Sequence, residues 1–152
     1  MIYSTVEINF KPIGIIHSPY KKSGEPPPQG ALRPEVEGLI EVFPEYQEGL
    51  KDIEGFSHLI ILYFFHLSRD YSLLAKPYMD DTPRGIFSIR SPHRPNPIGL
   101  SVVRLLGREK NVLRVSEIDI LDGTPLLDIK PYVPRFDCRT EAKMGWLEGR
   151  VR

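Results

Sequence analysis

Residues 58–66 read HLIILYFFH. Leu59, Ile61, Tyr63 and Phe65 form one alternating set, and Ile60, Leu62 and Phe64 form the other. Successive side chains on a strand point to opposite faces, so a run that is apolar in both sets is expected to be covered on both. This stretch predicts a strand placed centrally in a sheet.

Outward from it, shorter apolar runs repeat between turn signals. Phe10–His17 (FKPIGIIH) reads as a strand stopped by Ser18-Pro19, and Gly38–Phe43 (GLIEVF) as a second. Ile86–Ile89 reads as a short strand. Gly99–Leu106 (GLSVVRLL) and Val112–Ile118 (VLRVSEI) read as a hairpin with its turn near Gly107–Asn111. Leu127–Val133 (LDIKPYV) is the last strand. Glu45–Ile53 predicts a short helix closed by Gly55, and Thr140–Leu147 a short C-terminal helix or interface tail. Six or seven short strands of this kind predict a mainly β fold, a closed or nearly closed β-barrel with short helices.

The chain has 152 residues, which fits one domain over 1–152 with a core of its own. Its 15 prolines and 12 glycines predict many fixed turns and few long helices. Lys21–Pro34 is a polar loop that Pro26-Pro27-Pro28 makes stiff. Net charge is zero, so no overall field draws the chain to nucleic acid or an acidic membrane. The charges are unevenly placed. Residues 33–54 are mostly acidic, whereas Arg84, Arg90, Arg94, Arg104 and Arg108 follow one another without an acidic residue between them. Cys138 is the only cysteine, which rules out an intrachain disulfide and predicts a cytoplasmic home. The opening MIYSTVEINFKPIG lacks the pattern of a signal peptide, and Leu59–Phe65 is too short to span a bilayer.

Several chemistries find no support. His58 and His66 sit roughly 26 Å apart if they share one strand, so they cannot hold one ion, and no metal is expected. No Gly-x-Gly-x-x-Gly, phosphate-binding loop or Gly-x-Ser-x-Gly is present. Arg90–Pro97, RSPHRPNP, is more distinctive. Three prolines remove three backbone donors and fix three φ angles, so Arg90, His93, Arg94 and Asn96 are displayed on a rigid backbone. Rigid display of polar groups suits a binding site, although Ser-Pro and Asn-Pro are also plain turn formers. Asp122-Gly123-Thr124-Pro125 reads first as a turn, with backbone N–H groups that would also suit a ligand's polar end. Asp128 and Lys130 alternate with Leu127 and Ile129 and therefore share a face.

Four segments together resemble the TsaA-like family: Ile13–Tyr20 (IGIIHSPY), Gly55–His66 (GFSHLIILYFFH), Gly85–Leu100 (GIFSIRSPHRPNPIGL) and Ile118–Pro134 (IDILDGTPLLDIKPYVP). The resemblance implies a single-sheeted β-barrel, a homodimer, and S-adenosyl-L-methionine as methyl donor. It implies tRNA as partner, with N6 of threonylcarbamoyladenosine beside the anticodon as acceptor. The same fold acting on a small molecule, or a non-catalytic S-adenosylmethionine-binding module, are the alternatives. Many bacterial members carry an appended C-terminal domain that this chain is expected to lack.

Cofactor contacts implied by the resemblance are Pro28, Gln29 and Gly30, then His66 and Leu67, then Arg90 and Leu100, and finally Asp122, Gly123, Thr124 and Pro125. Arg90 suits the cofactor carboxylate, Asp122 the ribose or ammonium, and Leu100 an adenine face. Asp128 or Asp122 is a candidate base, with Lys130 stabilising developing charge. His93, Arg94, Asn96, Arg104 and Arg135, with Lys130 and Arg139, are candidates for the RNA-facing surface.

Overall fold

The computed structural model describes residues 6–151. The first residues of the segment read for a signal peptide lie outside them. Eight strands run in chain order: β1 (Gly14–His17), β2 (Glu37–Val42), β3 (His58–Phe64), β4 (Leu74–Ala75), β5 (Arg84–Gly85), β6 (Ile98–Glu109), β7 (Val112–Ser116) and β8 (Thr124–Pro131). Six close into an antiparallel barrel in the order β1-β2-β7-β6-β3-β8, with β8 returning to β1. The small β4–β5 ladder lies outside it. Among the described residues no helix is long and apolar enough to cross a membrane.

Alternation builds the core. Ile16, Ile40, Leu59, Ile61, Val103, Leu113, Val115 and Leu126 point inward and are fully buried. β3 sits between β6 and β8, as its composition predicts, but only one of its faces is covered. Leu59, Ile61 and Tyr63 are buried, whereas Ile60, Leu62 and Phe64 look outward. The outward row continues onto β6, where Ile98, Leu100 and Val102 are 41%, 53% and 39% exposed. A barrel is one sheet closed on itself, so its outer face has no second layer within the same chain.

Other boundaries move for local reasons. The first strand begins at Gly14 rather than Phe10, because Pro12 has no N–H for a ladder. The hairpin turn is Lys110-Asn111, with Lys110 at φ 54°, and Gly107 lies within β6 beside a register shift. Ile86–Ile89 is not a strand. Residues Ile86–Ser88 form a 3-10 turn, with Ile86 and Ile89 both buried at a spacing of three. The segment after Pro44 is likewise 3-10 over Pro44–Leu50, followed by a separate 3-10 turn at Ile53–Gly55. β8 begins earlier than Leu127 and takes in Thr124 and Pro125. After it, α1 (Pro134–Asp137) is a single turn, and Gly145–Leu147 is the only helical part of the predicted C-terminal helix. Trp146 Nε1 donates to the Ser88 carbonyl at 2.7 Å, which ties this tail to the loop before β6.

Candidate functional site

A pocket of about 280 Å³ opens where β3 ends and β8 begins. Tyr63, Phe65, His66, Leu67 and Ser68 form one wall, and Asp119, Ile120, Leu121 and Thr124 another. Ser23, Gly24 and Pro26 come from the stiff loop before β2, and Pro92 and His93 from the proline-rich loop before β6. Tyr63 and Phe65 meet edge to face, with ring centroids 5.3 Å apart. The lining is mostly apolar with a few polar groups, the composition of a small-molecule site.

The polar groups are linked. Tyr63 lies across Gly99, its direct partner on β6; a Cβ at Gly99 would meet the ring at 2.2 Å. This close approach brings Tyr63 Oη to 2.9 Å from Ser101 Oγ. Ser101 donates to Asp119, so Tyr63 must donate to Ser101, which has one proton to give. Burial pushes the Tyr63 phenol well above its ordinary range, and the nearby Asp119 charge adds to this. Burial also raises the Asp119 carboxyl, against the lowering effect of Ser101 and the Gly30 N–H. The Arg90 charge is near enough to oppose both shifts.

Gly30 makes this contact possible. A Cβ there would lie 1.7 Å from the Glu117 carbonyl oxygen, so the loop before β2 docks backbone against backbone. Pro28 and Gln29, beside it, are exposed.

Asp122–Pro125 is a turn whose N–H groups are engaged within the protein. Asp122 N–H donates to Tyr20 O, Gly123 N–H to Ile16 O, and Thr124 N–H to Leu121 O. The expectation that they cradle a ligand is therefore corrected. Gly123 holds φ 80°, Thr124 is buried in the pocket wall, and Pro125 pairs with Ile15 in the ladder. The Asp122 carboxylate accepts from Lys21 Nζ at 2.8 Å and Ser18 N–H at 2.9 Å. Lys21 and then Ser18 lower its pKa from the ordinary carboxylate value. It latches the turn to the segment after β1 and offers little to a ligand or as a base. Asp122→Asn is expected to lower stability at pH 7 by about 1–2 kcal/mol in urea unfolding. A lowered folded pKa means that this contribution is present above the unfolded carboxylate value of about 4 and is lost as pH falls through the folded value. The gap between variant and parent therefore closes in acid. A gap that widened in acid would contradict the latch.

The proline-rich loop divides its residues. Arg94 is partly buried and donates to the Ile89 and Ser91 carbonyls at 2.9 and 3.2 Å, so it braces its own loop rather than facing RNA. Asn96 is exposed, and its carbonyl takes the Ile98 N–H at 2.7 Å. His93 Nδ1 lies 3.2 Å from Ser68 Oγ across the pocket edge. Arg90 is exposed, as are Arg104, Arg135 and Arg139. Arg84 and Arg108, at the ends of the basic run, are paired with Asp80 and Glu54.

Asp128 and Lys130 do share a face, as an ion pair of 2.8 Å, but it is the outer one. They stand opposite Leu62 and Ile60, and they are not part of the pocket lining. Leu100 is on the same outer face, opposite Leu62. Among the described residues, no three His, Cys, Asp or Glu side chains converge on a metal geometry.

Residues 15–138 match the tRNA-methyltransferase O N-terminal domain. The chain belongs to the TrmO N-terminal domain family. It is 56% identical over 144 residues to a probable S-adenosyl-L-methionine-binding protein of Pyrococcus abyssi, covering 95% of this chain and 78% of that protein. It is 34% identical to the tRNA (adenine(37)-N6)-methyltransferase of Escherichia coli, covering 91% of this chain and 63% of the relative. The crystal structure of TrmO from Pseudomonas aeruginosa superposes with a TM-score of 0.79 at 40% identity, over 94% of this chain and 62% of that one. The chain thus spans under two thirds of the last two. Of the cofactor contacts that the family resemblance implies, His66, Leu67 and Thr124 line one pocket, Gly30 packs on the Glu117 backbone two residues before Asp119, and Leu100 is on the outer face of the sheet. Sequence reasoning missed Asp119, Ser101 and Tyr63. The available signal was a carboxylate inside the apolar run Ile118–Leu121, a position that calls for a partner.

Proposed function

We propose that this chain is an S-adenosylmethionine-dependent methyltransferase acting on N6 of the adenosine beside the tRNA anticodon, with threonylcarbamoyladenosine as acceptor. The observation that supports it most is the pocket, which gathers His66, Leu67 and Thr124 from distant segments beside the exposed Arg90. The names of the Escherichia coli and human relatives support the tRNA reaction.

The residues present fit the cofactor. The apolar lining and the Tyr63–Phe65 pair suit a purine and a thioether chain, and the partly buried Asp119 suits a polar or cationic end. His66, Leu67 and Thr124 would hold it, with the Arg90 charge acting on the Tyr63–Asp119 end of the pocket. When bound, S-adenosylmethionine supplies a methyl group on a positively charged sulfur. The protein's part is positioning, because sulfur, carbon and nitrogen must lie in line. The two proline-stiffened loops limit motion at the mouth, and exposed Arg90 offers a phosphate contact to RNA.

We also propose that the protein works as a homodimer through the outer face of β3 and β6. Ile60, Leu62 and Phe64 stand beside Ile98, Leu100 and Val102 as an uncovered apolar surface. A second copy seated there gives Leu100 a role at a site that it does not reach within its own protomer. It also brings Asp128 and Lys130 to the partner. Sedimentation equilibrium at micromolar concentration tests this, and a monomer would contradict it.

The activity is tested with labelled S-adenosylmethionine and tRNA with and without threonylcarbamoyladenosine. Label is expected only in the modified tRNA. The archaeal relatives' names favour a second reading, a protein that only binds S-adenosylmethionine. Tight binding without transfer to any tRNA would support that reading and overturn the first.

A further inference from the structure

Asp119 is the one carboxylate in the lining of the pocket. One hydrogen bond holds it, from the neutral Ser101 hydroxyl, and the neutral Gly30 N–H is near enough to favour its charged form. A carboxylate has about four acceptor positions, so Ser101 leaves room for a ligand's donor or cation. Neither group carries charge, and the cation that acts on it, Arg90, is exposed. The other titratable groups on this lining are Tyr63, His66 and His93. Tyr63 is bound in the donor chain to Ser101, which orients Asp119 and strengthens its acceptor character. An ionised carboxylate among Tyr63, Phe65, Ile120 and Leu121 is short of a counter-charge.

We propose that Asp119 is the anchor for a positive charge of the methyl donor, so that the pocket selects a cationic nucleoside. This rests on the reading of the pocket as an S-adenosylmethionine site. It assigns the recognition carboxylate to Asp119, and not to Asp122, which is already engaged by Lys21 and Ser18.

Three ligands separate the possibilities by titration calorimetry. S-adenosylmethionine carries a sulfonium and an ammonium, S-adenosylhomocysteine only the ammonium, and methylthioadenosine neither. Asp119→Asn keeps the shape and an acceptor for Ser101. It is expected to weaken S-adenosylmethionine at least about tenfold while methylthioadenosine changes less than about twofold, a loss in the range of one charge-assisted contact. If S-adenosylhomocysteine falls equally, the ammonium is the partner; if it is unchanged, the sulfonium is. Unchanged S-adenosylmethionine binding overturns the anchor, and so does an equal loss for methylthioadenosine. Failure of the unmodified protein to bind any of the three overturns the pocket reading itself. The variant is expected to melt no lower than the parent at pH 7, because burial already disfavours the charged carboxyl. A measurement on the unmodified protein needs no variant. The titration midpoint of the Asp119 carboxyl carbon is expected to fall on adding S-adenosylmethionine and to stay or rise with neutral methylthioadenosine, which only buries it further. A midpoint that ignores both ligands overturns the anchor.

Discussion

Gly30→Ala is expected to destabilise the barrel by about 3 kcal/mol and to weaken S-adenosylmethionine binding more than about tenfold. The added carbon would sit 1.7 Å from the Glu117 carbonyl oxygen and 2.6 Å from its carbon. Both atoms are backbone, so no side chain can rotate away. Glu117 already holds φ 60°, in the left-handed region that non-glycine residues avoid, and has little freedom to yield. Relief must come from moving the loop before β2 by more than an ångström. That movement shifts the Glu117–Asp119 backbone and Pro26 in the pocket wall. Gly49→Ala is the matched control, since a Cβ there meets nothing within 4 Å. Urea unfolding and calorimetric titration read the two effects. Equal unfolding midpoints for Gly30→Ala and Gly49→Ala would refute the docking described.

If two copies pair through β3 and β6 as proposed, Leu100→Asp is expected to turn that dimer into a monomer while leaving the barrel folded. Leu100 is 53% exposed in the single chain, so an aspartate there is tolerated by the fold. At the centre of a two-copy interface it would bring an unpaired charge into apolar contact with its symmetry mate, at a cost of several kcal/mol of association energy. Light scattering should show half the mass of the parent. If Leu100 completes the partner's site, methyl transfer falls with it. Parent and variant of equal mass with equal activity would remove Leu100 from both roles. Leu62→Asp, at the paired position on β3, should behave in the same way, because the two side chains stand side by side on one face.

Much of the fold was legible because alternation is local. The period of two in Leu59–Phe65, Gly99–Leu106 and Val112–Ser116 is written in neighbouring residues and survives into β3, β6 and β7. The short segment Ile86–Ile89 misled for the same reason. Two isoleucines three apart fit a strand fragment loosely and a 3-10 turn closely, and four residues are too few to separate the two. For β3 the apolar pattern was right and its explanation was incomplete. An apolar outer face does not show what covers it.

The site was legible as a set of strings and not as an arrangement. Gly30, His66, Leu67, Arg90 and Asp122–Pro125 were marked by family resemblance. Only folded geometry shows that Arg94 braces its own loop and that Asp128 and Lys130 neutralise each other outside. The sequence by itself determined the six barrel strands, the stiff loops and the family. Those depend on residue order, proline geometry and turn chemistry over a few positions. The tertiary structure decided which carboxylate faces the pocket. Asp119, Asp122 and Asp128 stand close together in the chain, yet one is held by Ser101 in the pocket wall, one by Ser18 and Lys21, and one by Lys130 at the surface. A carboxylate's character comes from its desolvation and its hydrogen-bond donors, and here a donor arrives from a residue 18 positions away for Asp119 and 104 for Asp122.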